Sequence, residues 1–595
     1  MSKINAEVIS VKPDKVKISV EDLDDFKLAE ENLKVGSYLQ ISDDNDVILF
    51  AIIESFSIDL VDVKEQDGSG KSNLDRKYII EASPIGTLID SKFERGGDTL
   101  SIPPKSVKPA ESKYIKEIFE NSIEEKRKFA FSKLANKLDI SVPVDGNKFF
   151  NKHLAIIGAS GSGKSNTTAK IFQTAAELKN SDFPELNNSH IIIFDIHSEY
   201  SSAFPKASTL SIENIVLPYW LLNGDELEEI FLDTGDKNNY NQTSLLRKII
   251  TANKKLHNES LEKIYFDSPI KFNIQEVLNC LKNLKNETTN YKSIDDRVMI
   301  VDDSTYTLAA DGKTEASSGI LFENEEEKLH KYFEKVYEFY PSKGQNIKNG
   351  DYNDGSIDKF IARFESKVID RRLEFLFGEE SSNITFEETL RLFIGYKSDK
   401  EANITVIDLS GIPFEILSIT VSLISRIMFE YGYYSKKVFG SNPTPLTLVY
   451  EEAHKYAPKS NLAKFRSSQL AIERIAKEGR KYGVTLAIVS QRPSEISETI
   501  FSQCNNFITM RLTNPDDQNY VKRLLPDSLN SITDILPALK SGEALIIGDS
   551  IIMPSIVKIE ECEFKPSSND IEYIEIWKDK WKDIDFKKLI EKWGN

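Results

Sequence analysis

The hydrophobic pattern changes character near residue 150. Up to about residue 105, apolar and polar positions alternate in short runs: AEVISV, KVKISV, SYLQIS, VILFAIIESFSI and KYIIEASPIGTLI. Turn-forming clusters such as SDDND and QDGSGKSN separate them. Alternation sets one face of a strand against a core, and the clusters suit hairpins. Residues 1–110 therefore predict an all-β domain, a small barrel. Residues 111–150 are rich in charge and predict a helical connector.

From Lys152 onward the strands read as buried: HLAIIG, HIIIFDI, ITVIDLS, LTLVYEE, VTLAIVSQ and FITMRL. Helical segments lie between most of them, which predicts an α/β fold with a mainly parallel sheet. Strands are scarce between Ser201 and Asn403, where GDELEEIFLD, TSLLRKIITANKKLH and IARFESKVIDRRLEFLF read as helices. The expected division is a core of 151–203 and 403–566, interrupted by a helical insertion at 204–402. The polar stretch around 285–355 is expected to be partly mobile. In the helical tail, 567–595, Trp577, Trp581 and Phe586 fall on one face. That face packs on its own domain or, alternatively, reaches a neighbouring subunit.

Composition narrows the class. A chain of 595 residues exceeds one ordinary core, so two or three domains are expected, and 40% hydrophobic residues is a globular value. Cys280, Cys504 and Cys562 have no metal-knuckle spacing and fit a reducing cytoplasm. The start of the chain lacks the apolar core of a signal peptide. The apolar run Ile416–Phe429 is interrupted by Arg426 and several serines, so no membrane span is expected. The net charge of −18 argues against coating nucleic acid over the outer surface, but leaves room for a local basic channel.

The chemistry is densest at IIGASGSGKSNT, residues 156–167. Gly158, Ala159, Ser160, Gly161, Ser162, Gly163, Lys164 and Ser165 match G-x-x-x-x-G-K-[ST] in full, between an apolar strand and a helix that opens through Asn166. Small residues let backbone N–H groups approach phosphate oxygens, and the helix start adds positive potential. Lys164 would meet the β- and γ-phosphates and Ser165 a Mg²⁺ ion, so ATP and Mg²⁺ are expected. The similar DGSGKS at 67–72 lacks the first glycine and reads as a surface loop.

Hydrolysis needs acids at the same sheet edge. LTLVYEEAHKY ends a strand in Glu451, expected to hold the metal through water, and Glu452, expected to orient the attacking water. His454 either touches the site or lies on a helix surface. VTLAIVSQRP ends in Gln491, read as a sensor of the γ-phosphate or the lytic water. Asp195 and Glu199, in DIHSEY, either line this edge or serve the local structure; Asp408 reads as a turn residue. Arg480 follows a helix that stops at Gly479, near the sheet edge but not obviously over its own nucleotide. It either completes a neighbour's site, which requires an oligomer, or is a solvated cation at a helix end. Lys455, Lys459, Lys464 and Arg466 follow the acid strand and are candidate DNA contacts.

Taken together, HLAIIGASGSGKSN, FDIHSEY, VYEEAHKY, RIAKEGRKYGVTLAIVSQRPSEI and SGEALIIGD resemble the HerA branch of the FtsK–HerA ATPase superfamily. The resemblance covers most of the chain, and residues 474–496 carry it most specifically. It implies a RecA-like P-loop NTPase core, an N-terminal barrel of the HerA–ATP synthase type, and a homo-hexameric ring that drives double-stranded DNA through its pore. It carries over Lys164 and Ser165 as Walker A residues, and Glu451 and Glu452 as the Walker B acid and catalytic glutamate. Arg480 carries over as the trans-acting finger and Gln491 as the sensor. Glu at the first Walker B position, in place of the commoner Asp, leaves the division of labour between the two glutamates open. Relatives commonly work with a separate nuclease, or in bacterial anti-phage systems with a sirtuin-like NADase effector. Two rivals remain: an ATP-regulated scaffold that activates an effector without translocation, and a secretion-type ATPase at a membrane.

Overall fold

The computed structural model describes residues 6–12, 15–20, 33–42, 47–64, 72–89, 92–96, 106–178, 186–233, 239–293, 295–303, 305–310, 312–342, 346–397, 400–459, 466–524, 532–567 and 571–594. Strands Ala6–Val11, Val16–Val20, Tyr38–Ser42, Ile48–Lys64, Ser72–Ile89, Lys92–Arg95 and Ser106–Pro109 form one antiparallel sheet. Their inward side chains, among them Val16, Ile18, Leu39, Ile41, Ile53 and Ile80, make a core separate from that of the rest of the chain. Register irregularities at Phe50/Ala51 and Ile53/Ser55 bend the two longest strands. The first and last strands approach without pairing, so the sheet curls toward a barrel. Tyr38 Oη donates to the Pro554 carbonyl at 2.8 Å and fastens this domain to the next.

Among the described residues the central sheet has eleven strands. Their order is Lys137–Ser141, Ser132–Leu134, Ser555–Ile559, Glu543–Gly548, Cys504–Thr509, His153–Ile157, Val484–Ser490, Leu446–Tyr450, His190–Asp195, Ile404–Asp408 and Ser208–Leu210. The last seven are mutually parallel, and helices cover them. This explains why their sequences are almost uninterruptedly apolar rather than alternating. Val484–Ser490 separates the strand that leads into the glycine-rich loop from the strand that ends in two acids, which is the RecA-like order. Parallel register puts Ile157 beside Ser490, and Phe194 beside Tyr450, so these carboxyl ends share one edge.

Three expectations are corrected. Residues 111–150 are not a helical connector: helix Ser112–Asn121 is followed by strands, two of which extend the central sheet. Phe129, Phe131, Leu134, Ile140, Val142 and Val144 are among the buried positions, and within the short strands, as at Ser132–Leu134, the lysine between two buried residues points out. The insertion does not start at 204, because Ser208–Leu210 is the edge strand of the parallel sheet. The tail does not pack on its own domain. It forms two helices, Tyr573–Lys578 and Phe586–Gly594, with Trp581 between them, and its described side chains are exposed. Lys464 lies outside the described residues. No helix among the described residues is long and apolar enough to cross a membrane; Ile416–Phe429 belongs to the buried helix Phe414–Phe439.

The insertion is tied to the core by a buried ion pair. Helix Gly224–Phe231 is capped by Asn223, with Glu226 completing a capping box. Glu226 also receives hydrogen bonds from Arg426 (Nη2–Oε2 2.8 Å) and Ser422 (2.7 Å), while Arg426 donates to the Leu221 carbonyl at 2.5 Å. The side chains are 0% and 12% exposed respectively, so neither charge can fall back on water. Arg426→Ala is expected to cost about 3–5 kcal/mol, read as a lower urea midpoint. A loss below about 1 kcal/mol, the value of a surface pair, would show that the pair does not hold the two parts together.

Candidate active site

The loop between His153–Ile157 and helix Lys164–Ala176 has the geometry its glycines suggest. A Cβ on Gly158 would lie 2.5 Å from Ser162 Oγ and 2.8 Å from Met510 Cβ. Gly163 caps the helix at φ +106°, where a Cβ would press on Met510 and Gly542. The Ser162 side chain turns inward toward Met510, whereas Ser160, Gly161 and Asn166 face outward. Gly542 N–H donates to the Ser162 carbonyl (2.9 Å) and Ser541 Oγ to the Gly161 carbonyl (3.2 Å), so a distant turn supports the loop. The Ala159 N–H is held by the Arg511 carbonyl at 2.8 Å. Lys164 Nζ folds back on the Ala159 carbonyl at 3.3 Å. Burial lowers the affinity of its amine for a proton, against the pull of Glu452, Glu451 and Glu199.

Four carboxylates gather beside this lysine. Asp195 is fully buried and accepts from the N–H groups of His197, Glu199 and Tyr200, the last at 2.8 Å. It shapes the turn that follows its strand, and its own carboxyl is raised by burial. That turn presents Glu199, whose Oε2 accepts from Ser165 Oγ at 2.9 Å. Glu451 is buried with Oε2 lacking any hydrogen-bond partner. Burial, with the charges of Asp195, Glu199 and Glu452, pushes its carboxyl up to about 9. Glu452 has the opposite balance: burial raises it, but His454, Lys164 and the Gln491 N–H outweigh burial and leave it lowered. His454 Nδ1 lies 3.2 Å from Glu452 Oε2, so this histidine belongs to the site. Glu452 has a left-handed backbone, φ +46° and ψ +46°, which is rare for a residue with a side chain. Such conformations cluster at functional sites.

The remaining candidates divide by location. Gln491 follows Ser490 at the catalytic edge, with its N–H toward Glu452. Arg480 is exposed and precedes Val484, at the amino end of a strand whose carboxyl end abuts the loop. Six strand steps put it about 20 Å from its own site. Lys459 is paired with Glu498 at 2.6 Å, Lys455 lies 3.4 Å from His197 Nε2, and Arg466 is exposed at the start of helix Ser467–Glu478. Asp408 accepts from Ser198 Oγ (2.7 Å) and the Ser410 N–H, a turn role. Sequence reading missed the Ser165–Glu199 contact, the Met510 floor and the segment 562–567. That segment runs along the loop helix: Gln173 donates to the Phe564 carbonyl at 2.7 Å, and the Ser567 N–H to the Glu199 carbonyl at 2.9 Å. No local motif signals these partners.

A family model described as helicase HerA, central domain, matches residues 129–428. A probable helicase of Methanocaldococcus jannaschii is 24% identical over 92% of this chain and 91% of its own length. A DNA double-strand break repair helicase HerA of Sulfolobus acidocaldarius is 28% identical over 75% of this chain and 72% of its own. The solved structure of VirB4 of Thermoanaerobacter pseudethanolicus aligns with a TM-score of 0.42 at 12% identity, over 74% of this chain and 98% of that one.

The left-handed backbone at Glu452 can be tested apart from its carboxylate. Glu452→Gly and Glu452→Ala both remove the acid, but only alanine keeps a Cβ at positive φ. The glycine variant is expected to be the more stable by about 1 kcal/mol in urea unfolding. Equal stabilities would mean that the backbone carries no strain there.

Proposed function

This chain belongs to the helicase HerA family, and from that membership we propose that it is an ATP-driven motor that moves double-stranded DNA through a homo-hexameric ring. It is an ATPase of the helicase class with a RecA-like P-loop core; substrate, assembly and residue roles are the proposal. The observation that carries it is the meeting, on one sheet edge, of a complete phosphate loop and buried acids from distant parts of the chain. ATP is the substrate that suits the loop. The buried, unpartnered Glu451 Oε2 and the surrounding carboxylates suit Mg²⁺, with Ser165 and Glu451 as the residues that would hold it. When bound, the ion supplies positive charge against the β- and γ-phosphate oxygens.

Within that site Lys164 binds the same oxygens as a mobile point charge. Glu452 is the base. Its carboxyl is held low, so it is ionised at neutral pH, and His454 and the Gln491 N–H orient it. It polarises a water whose oxygen attacks the γ-phosphorus while the bond to the ADP oxygen breaks, and it accepts the water's proton. The Gln491 side chain senses the γ-phosphate. Arg480 lies at the wrong end of its strand for its own site, so it stabilises the transferred phosphoryl group of a neighbour. The site is therefore complete only in an oligomer, and the ring of six rests on the family resemblance. A separate nuclease or sirtuin-like NADase effector, an anti-phage role and a cytoplasmic setting rest on that resemblance too. Lys455 and Arg466 are the described candidates for DNA contact, while Lys459 is engaged by Glu498.

Glu452→Gln is expected to retain ATP binding and to lower turnover by about 10²–10⁴-fold; normal turnover would remove Glu452 as the base. Lys164→Ala and Arg480→Ala should each be inactive alone. Mixed rings should regain ATPase activity at interfaces that pair an intact loop with an intact arginine, and no recovery would sink the trans assignment. ATPase stimulation by duplex DNA should fall steeply as salt rises, because phosphate contacts release counterions. Hydrolysis indifferent to duplex DNA at every salt concentration would favour the ATP-regulated scaffold instead.

A further inference from the structure

We infer that Glu199 is a positioning residue for the magnesium site, acting through Ser165. A serine hydroxyl that gives a lone pair to a cation keeps its proton, and that proton needs an acceptor on the side away from the ion. Glu199 Oε2 already fills this place, 2.9 Å from Ser165 Oγ. Neither Glu451 nor Glu452 hydrogen-bonds to that hydroxyl. The acceptor is fixed from two directions. Asp195 takes the Glu199 N–H at 3.2 Å and the Tyr200 N–H at 2.8 Å, which sets the turn. The Ser567 N–H donates to the Glu199 carbonyl at 2.9 Å, and Ser202 Oγ to the Lys565 carbonyl at 3.0 Å, so the segment leaving the last sheet strand clamps that turn from outside. Glu199 thus directs the lone pairs of Ser165 toward the metal position without contacting substrate.

This inference rests on the reading of the edge as a magnesium-nucleotide site, and the experiment separates the two. Equilibrium binding of a fluorescent ATP analogue is measured across a Mg²⁺ titration and in EDTA. If Mg²⁺ does not strengthen binding to the wild-type protein, the site reading itself fails. With that enhancement present, Glu199→Ala is expected to raise the Mg²⁺ midpoint by about 10–100-fold, as loss of a residue behind a metal ligand does, while leaving affinity in EDTA unchanged. Glu199→Gln keeps an acceptor oxygen and loses the charge, so its shift should be smaller. Ser165→Ala should also raise the midpoint, and adding Glu199→Ala to it should raise it no further, because Glu199 acts through that hydroxyl. An unchanged midpoint in Glu199→Ala overturns the inference, as do additive shifts in the double variant. An equal loss in EDTA also overturns it, since that would mark a general structural role.

Discussion

Repulsion among Asp195, Glu199, Glu451 and Glu452 is the constraint around which this protein is organised. Water would disperse such a charge, yet the sheet edge buries most of it beside Lys164. Each acid is accommodated differently. Asp195 is met by three backbone N–H groups; Glu452 is met by His454, Lys164 and the Gln491 N–H. Glu199 takes the Ser165 hydroxyl, and Glu451, without a partner for Oε2, retains a proton up to about 9. On the proposed reading, a cation held here would displace that proton and relieve the repulsion, which would link metal affinity to protonation. The rigid parallel sheet is what keeps the acids from spreading apart.

Strain has a place in this arrangement. The strand Leu446–Tyr450 ends with Glu451 turned inward, and the left-handed backbone at Glu452 reverses the chain so that the second carboxylate also faces the edge. Two adjacent residues on an extended strand would point to opposite faces. The positive φ therefore allows consecutive glutamates to serve one site. The conformation is locked by the Tyr456 hydroxyl on the Glu451 carbonyl and by the Lys455 N–H on the Glu452 carbonyl at 2.9 Å.

What could be read from the sequence follows from how local each signal is. The phosphate loop requires small residues at fixed spacing, so it announces itself within eight positions. The acids were legible because a buried strand rarely ends in paired charges. Glu199 was legible as a residue that lines the edge or serves the local structure, but not by its partner. Its partner Ser165 lies 34 positions away, and the turn that joins them depends on Asp195, whose caps form only in three dimensions. Residues 128–145 misled for another reason: lysines between the inward-facing Phe131, Leu134 and Ile140 imitate a solvated helix, while the strands they belong to are only two to five residues long and too short to show a period. The tail aromatics mislead differently: one continuous helix would align them, but the chain leaves the helix between Lys578 and Phe586.

Arg480 gives the architecture its mechanical sense. Helix Ser467–Glu478 begins where Ser468 bonds to the Tyr456 carbonyl, within the turn that locks Glu451 and Glu452, and it ends at the arginine. Twelve residues of helix span about 18 Å, close to the width of the sheet it crosses. The rod is braced along its length, with Ser418 on Ser468 at 2.9 Å and the Arg474 guanidinium 4.3 Å above the Phe429 ring. Phe429 belongs to the helix that carries Arg426, and so to the joint with the insertion. The turn at Glu452 is thus connected to the opposite edge by packed, hydrogen-bonded contacts. In the proposed ring, Glu452 and Arg480 of one subunit would be the two ends of one stiff element, the first at its own site and the second toward the neighbour's.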